Sequence, residues 1–313
     1  MKKGVLVLLL FVATTVFGQN WVKDGNGIPE RVAINEFIVL NDELYACGHF
    51  ISEQFTSEAR LYKSTNGGQN WNQVTMTGLE TKTMNAIIDY NGTLFTSGSL
   101  SINGAQQQYG VYCSHDNGVT WEKNGSGIPE RVAINEFIVL NDELYACGHF
   151  ISEQFTSEAR LYKSTNGGKN WNQVTMTGLE AKTMNAIIDY KGTLFTSGSL
   201  SINGAQQQYG VYCSHDDGAT WEKNGSVIPE RVAINEFIVL NNELYACGHF
   251  ISEQFTSEAR LYKSTNGGQS WEQVATPGLE TLTANAIFEH KGLLFISGSL
   301  SQMGQKYGVF VMK

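Results

Sequence analysis

The sequence predicts an all-β fold, a six-bladed β-propeller built from four-stranded antiparallel blades. Three observations predict it. The six tryptophans, at 21, 71, 121, 171, 221 and 271, stand at a constant spacing with no insertion, and a fixed period of this length marks propellers and solenoids. Each repeat holds four short runs rich in β-branched, aromatic and alternating apolar residues, enough for one blade. The last repeat stops after its third run, and the segment around Trp21 supplies the fourth.

The elements follow in chain order. Residues 1–19 read as a secretory signal: Lys2 and Lys3 form a charged start, Val5–Phe11 an apolar run, and Val16-Phe17-Gly18 a tolerated cleavage region before Gln19. That run is short for a membrane span, and no other span is visible. Residues 20–313 then form one propeller domain. Within it, residues 20–25 are expected to complete the sixth blade, closing the ring and removing open sheet edges. The first repeat gives strands at Ala33–Leu40, Glu43–Phe50, Arg60–Ser64 and Trp71–Thr75, with Asn41-Asp42 as the first turn. Later repeats begin at Thr83, Ala133, Thr183, Ala233 and Thr283, and the last strand is Tyr307–Met312.

A second period overlies the first. Residues 21–120 and 121–220 differ at only eight positions, among them Val22/Glu122, Gln69/Lys169 and Asn117/Asp217. The duplicated unit is therefore a pair of blades, present three times with the last copy truncated. Odd blades carry Glu-Leu-Tyr-Ala-Cys-Gly-His-Phe where even blades carry Thr-Leu-Phe-Thr-Ser-Gly-Ser.

Five tryptophans close an eight-residue motif, Ser-x-Asp/Asn-x-Gly-x-x-Trp. Its residues are Ser64, Asn66, Gly68 and Trp71; Ser114, Asp116, Gly118 and Trp121; Ser164, Asn166, Gly168 and Trp171; Ser214, Asp216, Gly218 and Trp221; Ser264, Asn266, Gly268 and Trp271. Asp or Asn can bond the backbone of its own turn, Gly accepts positive φ, and Trp buries a large ring between layers. The motif resembles the Asp-box, or BNR repeat, of sialidase-like propellers, and five copies in register extend the resemblance over essentially the whole chain after the leader. The family includes sialidases, other glycosidases, sortilin-type receptors and a photosystem assembly factor, so the resemblance implies architecture more than activity. It also implies two faces. Residues 26–32 and 51–59 share a rim with their copies, and the Asp-boxes, read as structural, lie on the other.

Composition narrows the partners. Net charge is −9, with no basic cluster, and removing Lys2 and Lys3 makes the rest more acidic still. This argues against nucleic acid and anionic lipid. No cofactor or metal is expected, and a monomer is. The leader points to a bacterial periplasm, cell surface or secreted location. Of five cysteines, Cys47, Cys147 and Cys247 lie in odd blades, Cys113 and Cys213 in even ones. Pairing of Cys47 with Cys113 and of Cys147 with Cys213 is open, but a small hydrophobe in a strand is preferred, since Val311 takes the equivalent place in blade six.

Several residues invite a functional reading. Asn35, Asn85, Asn135, Asn185, Asn235 and Asn285 open the innermost strands. They either line a polar central channel or, as preferred, bond backbone at the strand entrance. Glu36, Glu136 and Glu236 lie near a threefold axis. A calcium-like cation site is weighed against solvated ion pairs with Arg31, Arg131 and Arg231, and the ion pairs are preferred. Cys47-x-His49 and its copies lie too far apart for zinc, while His115 and His215 read as turn residues. The odd-blade loop is the candidate ligand site: Gln54, Phe55, Glu58 and Arg60, Gln154, Phe155, Glu158 and Arg160, and Gln254, Phe255, Glu258 and Arg260. An aromatic face with amides and charges can take sugar hydroxyls, unless Phe55 tucks under its own loop. The amide-rich even loop at 101–109 has similar potential.

A sialidase-like enzyme needs an arginine cluster, a Tyr-Glu pair and an acid Asp, each drawn from a different blade. Here Arg31 and Arg60 with their copies are the arginines available, and Ile28-Pro29-Glu30-Arg31 does not have the family's Arg-Ile-Pro order. No catalytic residue carries over. The expected function is an exported, non-enzymatic, multivalent binding propeller for carbohydrate, peptide or protein. The alternatives are a sialidase-like glycoside hydrolase with unrecognised catalytic residues, a structural envelope protein, or a recent duplication with no selected ligand.

Overall fold

Six sheets form, each with four antiparallel strands, and no helix occurs among the described residues. The computed structural model describes residues 20–100, 108–200, 208–301 and 306–313. The leader-like residues 1–19 and most of the even-blade loops (101–107, 201–207) therefore lie outside it. Blade one comprises Val32–Leu40, Glu43–Ile51, Ser57–Ser64 and Asn72–Gln73, from inner to outer strand. Blade two comprises Ala86–Tyr90, Thr93–Ser99, Tyr109–Ser114 and Glu122–Asn124. Blades three and five repeat the first pattern, and blade four the second.

Blade six takes Ala286–His290, Leu293–Ser299 and Tyr307–Met312 from the end of the chain and Trp21–Asp24 from its start. Trp21 pairs Met312 and Asp24 pairs Val309. Ser297 Oγ also donates to Ile34 O at 2.8 Å, tying blade six to blade one. The strand edge that the truncated last repeat would leave open is thus covered, as the sequence predicts.

Two boundaries differ from the expected ones. The third strand begins at Ser57, so Glu58 and Arg60 belong to it rather than to the loop. The outer strand shrinks to Asn72–Gln73, and Trp71 precedes it. Pairing there covers only Tyr62–Gln73 and Lys63–Asn72, because Trp71 N bonds instead to Asn26 O of the incoming connection at 2.8 Å. Glycine suits that crossing: Gly27 has φ +96, and a Cβ placed there would lie 2.1 Å from Trp71 O.

The core lies between blades, in two alternating chemistries. Where an odd blade follows an even one, Phe37, Trp71 and Phe295 pack together, with Phe37 and Trp71 ring centroids 5.9 Å apart. Where an even blade follows an odd one, Tyr45, Leu61, Met84, Tyr112 and Trp121 fill the layer. All five cysteines are buried and free, so the disulfide alternative is excluded. Cys113 and Val311 both face the same phenylalanine position, Phe95 and Phe295, which supports the small-hydrophobe reading.

Candidate functional site

The axis is built by a bulge. In each odd inner strand Ile34 pairs Gly48 and Glu36 pairs Cys47, which leaves Asn35 unpaired between them. A bulge re-aims the side chains around it. Asn35 Nδ2 donates to Met84 O of the next blade at 2.7 Å, and Glu36 Oε2 accepts from Ile87 N at 2.6 Å. The inner strand of blade two is a sheet edge, so this outward N–H has no strand partner of its own. Asn135 and Glu136 do the same to Met184 and Ile187, and Asn235 and Glu236 to Ala284 and Ile287.

These contacts correct two expectations. Glu36 is not in a solvated ion pair with Arg31, whose Nε donates to Ile51 O at 2.8 Å. Nor do the six asparagines share one job. Asn85 bonds within its own blade, its Oδ1 accepting from Thr83 Oγ1 at 2.9 Å. The reason is local: odd inner strands have the bulge and even ones do not.

The axial carboxyls touch the channel but sit deep in the protein. Burial raises Glu36 to about 8 against the opposing pull of the Ile87 N–H. Glu136 and Glu236 are raised by burial and then by the like charge of their counterparts. A carboxyl in this state retains a proton near neutral pH and acts as a donor as well as an acceptor. His49, 3.4 Å from Asn35 Nδ2, is held down to about 4 by burial and stays neutral. The Cys47 thiol points at Met84 O.

At the opposite ends of the hairpins lie the Asp-boxes. Ser64 Oγ accepts from Gly68 N and donates to Asn66 Oδ1, both at 2.9 Å, and Asn66 Oδ1 accepts from Asn70 N. In blade two Asp116 takes Thr120 N at 2.8 Å and the Thr120 hydroxyl at 2.6 Å, which hold its carboxylate down at about 2. These bonds close the turn, in keeping with a structural role.

The odd-blade loop joins Ile51 to Ser57, at the end of the hairpin away from the Asp-box. It is a tight, internally bonded tip: Ser52 N donates to Thr56 O, Phe55 N to Ser52 O, and the Ser52 and Thr56 hydroxyls meet at 2.6 Å. Phe55 has φ 58 and is 61% exposed, with Phe155 at 57% and Phe255 at 62%. They are the only aromatics so exposed among the described residues, so Phe55 does not tuck under its loop. Gln54 is exposed beside it. Arg60 pairs with Glu58 through Nη2 to Oε2 at 2.8 Å and stacks 5.6 Å over the Phe50 ring. The structure therefore gathers the four expected residues in two groups, a Gln54–Phe55 tip and a Glu58–Arg60 pair on the strand below. The larger clefts lie elsewhere, between outer strands; one of about 570 Å³ is lined by Lys123, Glu130 and Lys169. Phe55 thus stands as a protruding platform.

Sequence reasoning missed one grouping. Cys113, His115 and Glu122 of blade two, and Cys213, His215 and Glu222 of blade four, bring their ligating atoms within 4.8 Å of one another. The signal was available: Cys-x-His places both residues on one strand face, and Glu lies directly across the Asp-box turn.

Comparison with known proteins agrees with this architecture. Residues 112–123 match the family model of the BNR/Asp-box repeat. No curated protein matches the chain. Among solved structures, Trypanosoma rangeli sialidase with the inhibitor DANA superposes with a TM-score of 0.66 at 12% identity over 91% of this chain. This chain covers only 55% of that sialidase. A protein of unknown function from Dyadobacter fermentans gives 0.67 at 11% identity, covering 94% of this chain and 99% of the other. The structure of YjhT gives 0.63 at 12% identity, covering 92% and 99%. Identities this low show the fold alone.

Proposed function

We propose that this chain, an Asp-box (BNR) repeat β-propeller with the sialidase-like fold, is an exported multivalent binding protein for carbohydrate or peptide ligands. The observation that carries this reading is the set of three exposed phenylalanines, each on an identical, internally bonded loop tip. A large apolar side chain held out on a left-handed backbone is costly to keep without a use. Gln54 at the tip and the Glu58–Arg60 pair on the strand below add hydrogen-bonding groups. Each site alone binds weakly, because one loop tip buries little area. Linked presentation of the ligand raises avidity by about a hundredfold or more. The leader-like residues 1–19 support the exported location.

A glycan and peptide array selects the probe, and titration calorimetry then counts sites. Phe55→Ala, Phe155→Ala and Phe255→Ala, introduced one at a time, are expected to remove one site each from three. A stoichiometry of one that survives all three substitutions sinks the loop assignment.

One observation favours the rival hydrolase reading: Glu36 is raised to about 8, a property shared with general acids. The likeness to a sialidase adds to it. Against it, the three carboxyls each bond a backbone N–H of the next blade. We expect no turnover of sialyl or other glycosyl reporters. Turnover lost in Glu36→Gln would establish the rival.

A further inference from the structure

We propose that blades two and four each hold a zinc-class divalent cation through Cys113, His115 and Glu122, and through Cys213, His215 and Glu222. Neither site overlaps the odd-blade loops, and neither depends on the binding role given to them. Cys113 and His115 alternate along the third strand and the start of its turn, and Glu122 is the cross-strand partner of Cys113. The three side chains therefore share one face of the blade.

All three ligating atoms lie within 4.8 Å of one another, and the two edges to Glu122 approach those of a coordination polyhedron. The Cys113 thiol lies 3.6 Å from Glu122 Oε1, and His115 Nε2 lies 3.6 Å from the same oxygen. In blade four the two distances are 3.6 and 3.8 Å. A tetrahedral zinc with ordinary Zn–S, Zn–N and Zn–O bonds needs edges of about 3.5 Å from sulfur to oxygen and about 3.3 Å from nitrogen to oxygen. Small rotamer adjustments close the difference. Sulfur, imidazole and carboxylate together form the mixed donor set of a borderline-soft cation, not of calcium or magnesium. His115 and Glu122 remain 66% and 71% exposed, so water completes the fourth position.

Each ligand also has a supporting partner. Thr93 Oγ1 stands 3.2 Å from His115 Nδ1, which leaves Nε2 for the metal. Burial raises the Cys113 thiol, and Asn124 Nδ2, donating to Sγ at 3.4 Å, opposes that by favouring the thiolate. Thr193 and Asn224 repeat these contacts at 3.1 and 3.2 Å. On binding, the thiol gives its proton to solvent and sulfur bonds the cation.

The other blades supply the control. In blade six the corresponding positions are Val311, Lys313 and Val22 for the ligands, with Leu293 and Asp24 for the supporting residues. All five are replaced at once. In odd blades they are Lys63, Thr65 and Asn72, with Glu43 in place of Thr93, and Lys63 pairs with Glu43 instead. A hydrophobe in a strand explains the cysteine alone. It does not explain why His, Glu, Thr and Asn come and go with it.

The test uses the full chain, stripped of metal, with zinc chloride and then cobalt(II) as the probes. Calorimetry is expected to give two zinc ions per chain, and cobalt to show thiolate-to-metal charge-transfer absorption. His115→Ala is expected to leave one ion, and His115→Ala with His215→Ala none, with the metal-free melting temperature unchanged because both histidines are exposed. Cys113→Val with Cys213→Val, copying blade six, is expected to erase the cobalt–thiolate band. Thr93→Val should weaken its site about tenfold. The proposal is overturned if zinc fails to bind at a tenth-millimolar level (~0.1 mM, within the range a three-ligand site reaches easily). Binding that the double histidine variant leaves untouched overturns it equally.

Discussion

Odd and even blades share four strands and one turn motif, yet they grip their neighbours differently. The odd blade reaches forward from a bulged inner strand: Asn35 and Glu36 each satisfy a backbone group of the next blade. The even blade has no bulge and replies with hydroxyls: Ser97 Oγ donates to Ile134 O at 2.9 Å, and Tyr90 Oη to Asp142 O at 2.7 Å. The difference extends to the turn. In even blades Trp121 and Trp221 donate their indole N–H to Gly118 O and Gly218 O at 2.9 Å. In odd blades Trp71, Trp171 and Trp271 bury theirs without a partner, as does Trp21 of blade six. Blades two and four therefore add an indole hydrogen bond at the turn, and odd blades place their extra polar contacts at the axis. A ring assembled from unlike pairs has two kinds of interface, which explains why the duplicated unit is a pair.

The largest effect should come from the axial grip. Glu36→Ala leaves the Ile87 N–H buried and unpaired and is expected to cost about 1–3 kcal/mol, against about 1 kcal/mol or less for Ser97→Ala. Equal costs in denaturant titrations would erase the distinction between the interfaces.

A smaller effect concerns pH. Glu36 is raised to about 8 from an ordinary 4.5, so its contribution to stability is full below 4.5 and is lost as pH rises through 8. His49 is lowered to about 4 from 6.5, so its contribution is full above 6.5 and is lost as pH falls toward 4. The two oppose each other below 6.5, and the glutamate acts alone above it. Stability should therefore fall between pH 6.5 and 8. Replacing Glu36, Glu136 and Glu236 together with Gln should flatten that fall, and a fall of unchanged size in the triple variant would assign it elsewhere.

Val227 tests the connection between blades. It stands where Gly27 and Gly127 stand, at φ 83 and 70% exposed, beside a junction that keeps its Ser226–Ser270 bridge. A β-branched residue in the left-handed region is strained. Val227→Gly is expected to raise stability by about 1 kcal/mol by relieving that strain; a loss would refute this account.

The smallest effect separates the tryptophans. Trp121→Phe removes a satisfied indole N–H and Trp71→Phe an unsatisfied one, so the first should cost about 1 kcal/mol more than the second. Thermal melts of the two variants give the difference directly.

Much of this molecule is legible in the chain because it is periodic. The spacing of Trp21 to Trp271 determines the blade count, and the strand-like run at Trp21 is the one that pairs Val309–Met312 to close the ring. Local chemistry determines the Asp-box turn, since Ser64, Asn66 and Gly68 bond within eight residues. What depends on a neighbouring blade was not legible. Glu36 finds Ile87 fifty-one positions away, through a bulge that alternating hydrophobicity does not reveal. The exposure of Phe55 was left open because an aromatic in a loop is as readily packed as presented, and only the left-handed tip turns it outward. Sequence determines what closes within one repeat. Contacts that cross between strands or blades are decided by the twist and stagger of the sheets, which exist only once the ring has formed.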